Sequence, residues 1–124
     1  MIMGLGIDII EIGRIANLIE KKGELLLKRL FTPDELAICG QAAHRLAGRF
    51  AAKEAFFKAL GTGFRGFKWR EVEIQNDALG APYFRFSGRL QAHLEATGVD
   101  HTHVTITHSK EYAVAQVIME KVKA

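Results

Sequence analysis

Residues 42–60 read AAHRLAGRFAAKEAFFKAL and run into Gly61-Thr62-Gly63. The stretch is rich in alanine and lacks proline, which predicts the longest helix of the chain, ended by Gly61 and Gly63. At about 100° per residue, Ala43, Leu46, Ala47 and Phe57 fall within about 60° of Phe50. Glu54 falls about 40° away, on the same apolar stripe. An ionised carboxylate on a buried face costs roughly several kcal/mol unless it is paired, protonated or bound to a metal. Pairing with Lys58 at i+4 contributes only about 0.3–0.5 kcal/mol at a surface, too little to offset burial.

The flanking sequence fits an α+β domain spanning residues 1–124, a mainly antiparallel sheet packed against this helix. Residues 4–12, GLGIDIIEI, form a strand, and residues 14–30 form two helical stretches interrupted near Gly23. Thr32-Pro33-Asp34-Glu35 starts a short helix: Thr32 caps, Pro33 suits the first position, Glu35 closes a capping box, and Gly40 stops it. Two strands follow, Glu71 to Gln75 and Tyr83 to Phe86, with a turn at Asn76-Asp77 and Gly80-Ala81-Pro82. A helix from Arg89 to Thr97 ends at Gly98, and strands His103 to Thr107 and Tyr112 to Met119 close as a hairpin around His108-Ser109-Lys110-Glu111.

The 124 residues are 48% hydrophobic and 25% charged, which fits one folded domain and excludes disordered and collagen-like chains. The single cysteine, Cys39, allows no internal disulfide and fits a reducing, cytoplasmic setting, where it is read as a small packed residue. No apolar run is long enough to span a bilayer, so no membrane partner is expected. The net charge of +3 is uneven. Residues 1–70 carry 12 Lys and Arg against 7 Asp and Glu, while residues 71–124 carry 5 against 7. The basic half predicts an anionic partner.

Asp8 repeats the puzzle of Glu54, since Asp is depleted in strands and this one sits inside Gly-Ile-Asp-Ile-Ile. A purely structural role has it cap the following helix or meet Arg14. Together the two acids suggest a Mg²⁺ site, because this hard cation takes one or two carboxylates, keeps waters and binds substrate phosphates. Arg45 and Arg49, i and i+4 on the helix, and Lys58 suit a pyrophosphate substrate.

The strings GLGIDIIEIGRI, LFTPDELA, GRFAAKEAFFKALGTG, GAP at 80–82 and VTITHSKEYAVAQVI occur here in the order seen in bacterial holo-[acyl-carrier-protein] synthases. The chain thus resembles the small 4′-phosphopantetheinyl transferases from about Gly4 to Ile118. The resemblance implies transfer of the 4′-phosphopantetheine arm of coenzyme A to a serine of apo acyl carrier protein, with adenosine 3′,5′-bisphosphate released, in support of fatty acid synthesis. It also implies Mg²⁺ and a homotrimer with active sites between subunits. Asp8 and Glu54 match the metal carboxylates. Lys58 matches the catalytic lysine at the phosphates, Arg49 the arginine near the 3′-phosphate, and Arg45 is a further partner there. His108 and Ser109 match a pair at the nucleotide phosphates, and Pro82 a proline by the adenine. Arg14, Lys21, Lys22 and Lys28 match the surface that docks the acidic carrier. Gly13 stands where many relatives have Glu, and the basic residues after it follow no single family pattern.

The base that takes the serine proton is either Glu54 or a Mg²⁺-bound water, with the water favoured because a liganding Glu54 has its lone pairs partly committed. A rival reading is a single-stranded nucleic-acid-binding module, from the interleaved basic and aromatic residues Phe64-Arg65-Gly66-Phe67-Lys68-Trp69-Arg70. Packing of Phe64, Phe67 and Trp69 within the domain or against a neighbouring subunit is the favoured account of that segment, and no nucleic-acid partner is expected. Gly61-Thr62-Gly63 follows a helix instead of preceding one, the wrong polarity for a phosphate loop. His101 and His103 lack a third zinc ligand nearby and read as surface histidines.

Overall fold

The computed structural model describes residues 1–61 and 66–123. The helix-ending role expected of Gly63 and the packing expected of Phe64 lie outside the described residues. Strand β1 (Ile2–Glu11) leads into helix α1 (Ile12–Leu30), which breaks at Gly23 with φ 60° and ψ −146°. Helix α2 (Pro33–Cys39) starts with the expected capping box and stops at Gly40, and α3 (Ala43–Leu60) ends on Gly61 in the left-handed region. A 3-10 turn at Trp69–Glu71, which the sequence reading did not anticipate, precedes β2 (Val72–Asn76) and β3 (Pro82–Phe86). Helix α4 (Gly88–Thr97) and the hairpin of β4 (His101–His108) and β5 (Tyr112–Glu120) complete the chain.

The strands form two antiparallel sheets instead of one. β1, β5 and β4 lie side by side in that order, and β2 pairs with β3. The first strand is thus sewn to the last, with Asp8 opposite Ala115 and Gly6 opposite Val117.

Helix α3 is the centre of the core. Leu46, Ala51, Ala52, Ala55 and Phe56 have no exposed surface, and the Phe56 ring meets Phe84 and Phe86 at 5.4 and 5.1 Å. The narrow apolar stripe expected around Phe50 is therefore too narrow, because small residues let several faces of α3 be covered at once. Two glycines on β1 show how close the covering is. A Cβ at Gly4 would collide with the Ala59 carbonyl, and one at Gly6 with that of Ala55. Strand and helix therefore touch through backbone atoms at positions 4 and 6, and the alternation turns the side chains of Asp8 and Ile10 to the same face. The opposite face of β1 presents Leu5, Ile7 and Ile9, each at least 60% exposed.

Candidate active site

Alternation along β1 aims Asp8 at α3, where Lys58, one turn beyond Glu54, meets it. The Lys58 ammonium donates to Asp8 Oδ1 at 2.9 Å and to the Ile7 carbonyl at 3.1 Å. Lys58 thus reaches across to the strand instead of back along the helix to Glu54. Asp8 neither caps α1 nor pairs with Arg14; the cap position belongs to Glu11, without a side-chain bond.

Glu54 is half-buried beside them. Burial pushes its carboxyl up from the ordinary range, the negative charge of Asp8 adds to this, and Lys58 and Arg14 oppose it. The four predicted residues Asp8, Arg14, Glu54 and Lys58 therefore share one electrostatic neighbourhood. Two adjacent carboxylates, one of them reluctant to ionise beside the other, form a donor set suited to a hard divalent cation. Among the described residues no group of three or more His, Cys, Asp and Glu side chains is placed to hold a metal. A cation on Asp8 and Glu54 would fill its other positions with water and substrate oxygens.

Next to this centre, Arg14, Asn17, Leu18 and Lys21 of α1 line an open depression of about 410 Å³ with Glu11 and Gly13. Lys21, Lys22 and Lys28 are exposed on α1, Lys28 lying 4.0 Å from Glu24.

The remaining predicted residues lie elsewhere and in separate surroundings. Arg49 is buried, donates to Asn76 Oδ1, and has no carboxylate partner among the described residues. Its Nε is buried and unpaired. Asn76 in turn donates to the Gly80 carbonyl at 3.0 Å and stands opposite Pro82 in the β2–β3 register. Arg49, through Asn76, and Pro82 thus lie at the same end of one hairpin, the guanidinium keeping an unpaired buried N–H there. His108 ends β4, its ring 5.1 Å from that of His44, a neighbour the sequence did not disclose. Ser109 organises the following turn, its hydroxyl accepting from Glu111 and Tyr112 N–H. Arg45 reaches the Ile38 carbonyl at 3.4 Å.

A family description, the 4′-phosphopantetheinyl transferase superfamily, matches residues 4–117. The chain belongs to that superfamily. A holo-[acyl-carrier-protein] synthase of Trichlorobacter lovleyi is 47% identical, over 97% of this chain and 98% of that protein. The crystal structure of a holo-[acyl-carrier-protein] synthase from Neisseria meningitidis is 41% identical and superposes with a TM-score of 0.91, covering 98% of this chain and 100% of that one. One from Bacillus anthracis, described as in complex with CoA (3′,5′-ADP), is 37% identical with a TM-score of 0.80, over 98% of both chains.

In this superfamily member, sequence reasoning missed a second lysine–carboxylate pair. Lys53 and Glu35 meet at 2.7 Å with no exposed surface on either side chain. The helical wheel already held the signal, since Lys53 lies about 60° from Phe50, as close to it as Ala47, which was counted in the stripe. Glu35 gives no such signal, because its place in the capping box accounts for a carboxylate there. The other predicted features are ordinary. Cys39 is buried, and burial pushes its thiol up. His101 and His103 each meet a separate acid, Asp100 at 2.9 Å and Glu120 at 2.6 Å. Phe67 and Trp69 pack against Phe57 at 6.3 and 5.8 Å. No helix among the described residues is long and apolar enough to cross a membrane.

Proposed function

We propose that the protein transfers 4′-phosphopantetheine from coenzyme A to a serine hydroxyl of an apo acyl carrier protein, with Mg²⁺, releasing adenosine 3′,5′-bisphosphate. The observation that carries this reading is the convergence of Asp8, Glu54 and Lys58 where β1 crosses α3. Membership of the superfamily supports reading that constellation as the place of this chemistry.

Asp8 and Glu54 would hold Mg²⁺, whose chemistry is neutralisation of charge on the pyrophosphate oxygens. Lys58, its side chain 55% exposed, can turn a donor from Asp8 toward a phosphoryl oxygen while keeping the Ile7 carbonyl. The serine oxygen attacks the β-phosphorus, the bond to the nucleotide phosphate breaks, and the serine proton passes to water, because a liganding Glu54 has its lone pairs partly committed. Arg14 and the exposed Lys21, Lys22 and Lys28 offer a basic surface to an acidic carrier.

Arg49 and Glu54 are five residues apart, so they point about 140° apart around α3. One chain therefore presents the metal centre and the Arg49–Pro82 end on different sides. A coenzyme A bound at both ends is best accommodated between copies, and the exposed Leu5, Ile7 and Ile9 supply an apolar face for association. The reading thus includes a homotrimer with shared sites, acting in the cytoplasm on the carrier of fatty acid synthesis. His108, Ser109 and Arg45 are assigned to the nucleotide phosphates.

The test is to incubate the protein with coenzyme A, Mg²⁺ and purified apo carrier proteins and weigh the products. The expected result is the mass increment of one phosphopantetheine on a carrier, lost with a chelator. No increment on any carrier sinks the reading. The rival nucleic-acid module gains no support from Phe67 and Trp69, whose partly buried rings pack against Phe57 at the edge of the core.

A further inference from the structure

The buried Lys53–Glu35 pair takes no part in the chemistry described above. All three Lys53 ammonium protons are used, toward Glu35 Oε1 at 2.7 Å, the Val72 carbonyl at 2.8 Å and the Trp69 carbonyl at 3.1 Å. Glu35 is equally engaged, accepting from Thr32 N–H at 2.9 Å on one oxygen and from Ile74 N–H at 3.0 Å on the other. Burial pushes the lysine down from its ordinary range, and Glu35 pulls it back.

Val72 and Ile74 are two residues apart on β2, so the Val72 carbonyl and the Ile74 N–H point to the same edge. That edge faces away from β3, the only strand β2 pairs with among the described residues. An unpaired strand edge must be protected or covered. Here a carboxylate takes the N–H and an ammonium takes the carbonyl, the two bonds a third strand would supply. Because Lys53 sits on α3 and Glu35 on α2, this surrogate fixes β2 against both helices. One turn before Lys53, Arg49 bonds Asn76 at the far end of the same strand.

We propose that the Lys53–Glu35 pair is a positioning device for the nucleotide end of the site. By replacing a missing strand along β2 it fixes Asn76 and Pro82 relative to Arg49, and so sets affinity for coenzyme A instead of the rate of transfer. The separation of the two effects follows from the fold. Asp8 and Glu54 are brought together by the backbone contact of β1 with α3 at Gly4 and Gly6, which does not involve Lys53. The inference rests on the proposed function.

Removing one partner strands a buried charge, so the informative variant removes both. Replacing both leaves no stranded charge, although the Trp69 and Val72 carbonyls and the Thr32 and Ile74 N–H groups lose these partners, so the folded variant is expected to unfold at lower urea than wild type. The double variant Lys53→Met with Glu35→Leu is expected to keep wild-type circular dichroism. Its KM for coenzyme A is expected to rise about tenfold, with kcat within about threefold, as misplacement of a binding group by a fraction of an ångström implies. A purely structural pair lowers the amount of folded enzyme and leaves KM where it was. A folded double variant with unchanged KM, or with kcat lost and KM intact, overturns the proposal. Should that variant not fold, Glu35→Gln keeps one acceptor oxygen and serves instead, with a smaller rise in KM expected and an unchanged KM again overturning the proposal. Wild-type protein that neither binds coenzyme A nor transfers its arm sinks the functional reading. Wild-type protein that does both, beside a folded variant of unaltered KM, sinks this inference alone.

Discussion

Two lysine–carboxylate pairs stand on α3, five residues apart. Lys53 meets Glu35 at 2.7 Å with both side chains wholly buried. Lys58 meets Asp8 at 2.9 Å with its side chain 55% exposed and that of Asp8 16% exposed. In the first pair the polar atoms are committed to backbone groups on three other segments. In the second the lysine has water on one side, and a second carboxylate, Glu54, stands beside the acid. Nearly equal distances therefore have different meanings. A buried pair whose bonds are all used holds one arrangement, because breaking it leaves a charge without solvent or partner. A half-exposed pair with an extra negative charge next to it gains by exchanging partners for a cation and a phosphate.

The sharpest way to break this comparison is to truncate each lysine. Lys53→Ala leaves Glu35 as a lone buried charge and is expected to cost about 3–5 kcal/mol in urea unfolding. Lys58→Ala is expected to cost less than about 1 kcal/mol in the same measurement. Equal losses would mean that burial does not separate the pairs.

Activity should sort them the other way. Glu54→Gln and Lys58→Ala are each expected to lower kcat for transfer by about 10²- to 10³-fold, the scale of losing one group that stabilises transition-state charge. Glu54→Gln also removes the like charge beside Asp8, so the metal-free variant should melt above the metal-free wild type. A lower melting temperature would show that Glu54 contributes stability to the fold.

Gly6→Ala tests what brings Asp8 to α3. The added methyl group must push back the Ala55 carbonyl, with an expected cost of about 1–3 kcal/mol, the usual range for overpacking, and a weakened apparent affinity for Mg²⁺ in the transfer assay. A variant as stable and as responsive to Mg²⁺ as wild type would remove the backbone contact as the cause of the site's geometry.

The smallest effect sharpens the comparison with an acid that has no lysine. Asp100 bonds His101 and accepts from the Val122 and Lys123 N–H groups, and these bonds, that to His101 foremost, hold its carboxyl well below the ordinary range. A depressed acid stabilises the fold above its unfolded-state pKa and loses that contribution as pH falls through its lower folded value. The Val122 and Lys123 bonds should therefore persist at pH 5 and weaken only in strong acid, read by amide protection or proton chemical shifts. Asp100→Asn should loosen those two amides at neutral pH and leave the rest of the molecule unchanged.

Much of this was legible in the sequence because it is local. The Gly23 break, the Thr32–Glu35 capping box and the Gly61 stop depend on neighbours within a few residues, and each is where the chain predicted it. Asp8 and Glu54 stood out because each violates its own element's pattern. What could not be read depends on contacts distant in sequence. Whether five strands make one sheet or two is decided by which edges meet, and nothing in Val72 to Asn76 states that its second edge will face a carboxylate from residue 35. Lys53 was hidden for a related reason. A lysine in an alanine-rich helix reads as a solvated residue until the surrounding faces are all known to be covered.

The meeting of β1 and α3 at Gly4 and Gly6 has a consequence for how such a chain can vary. Helix and strand rest on each other there through main-chain atoms, so the gap between them is not set by the volume of any side chain. Interior residues such as Leu46 or Val117 can be exchanged over generations, changing melting temperature and packing, while the spacing of Asp8 and Glu54 stays the same. The chemistry is thereby insulated from drift in the core, provided two positions on the first strand carry no side chain at all.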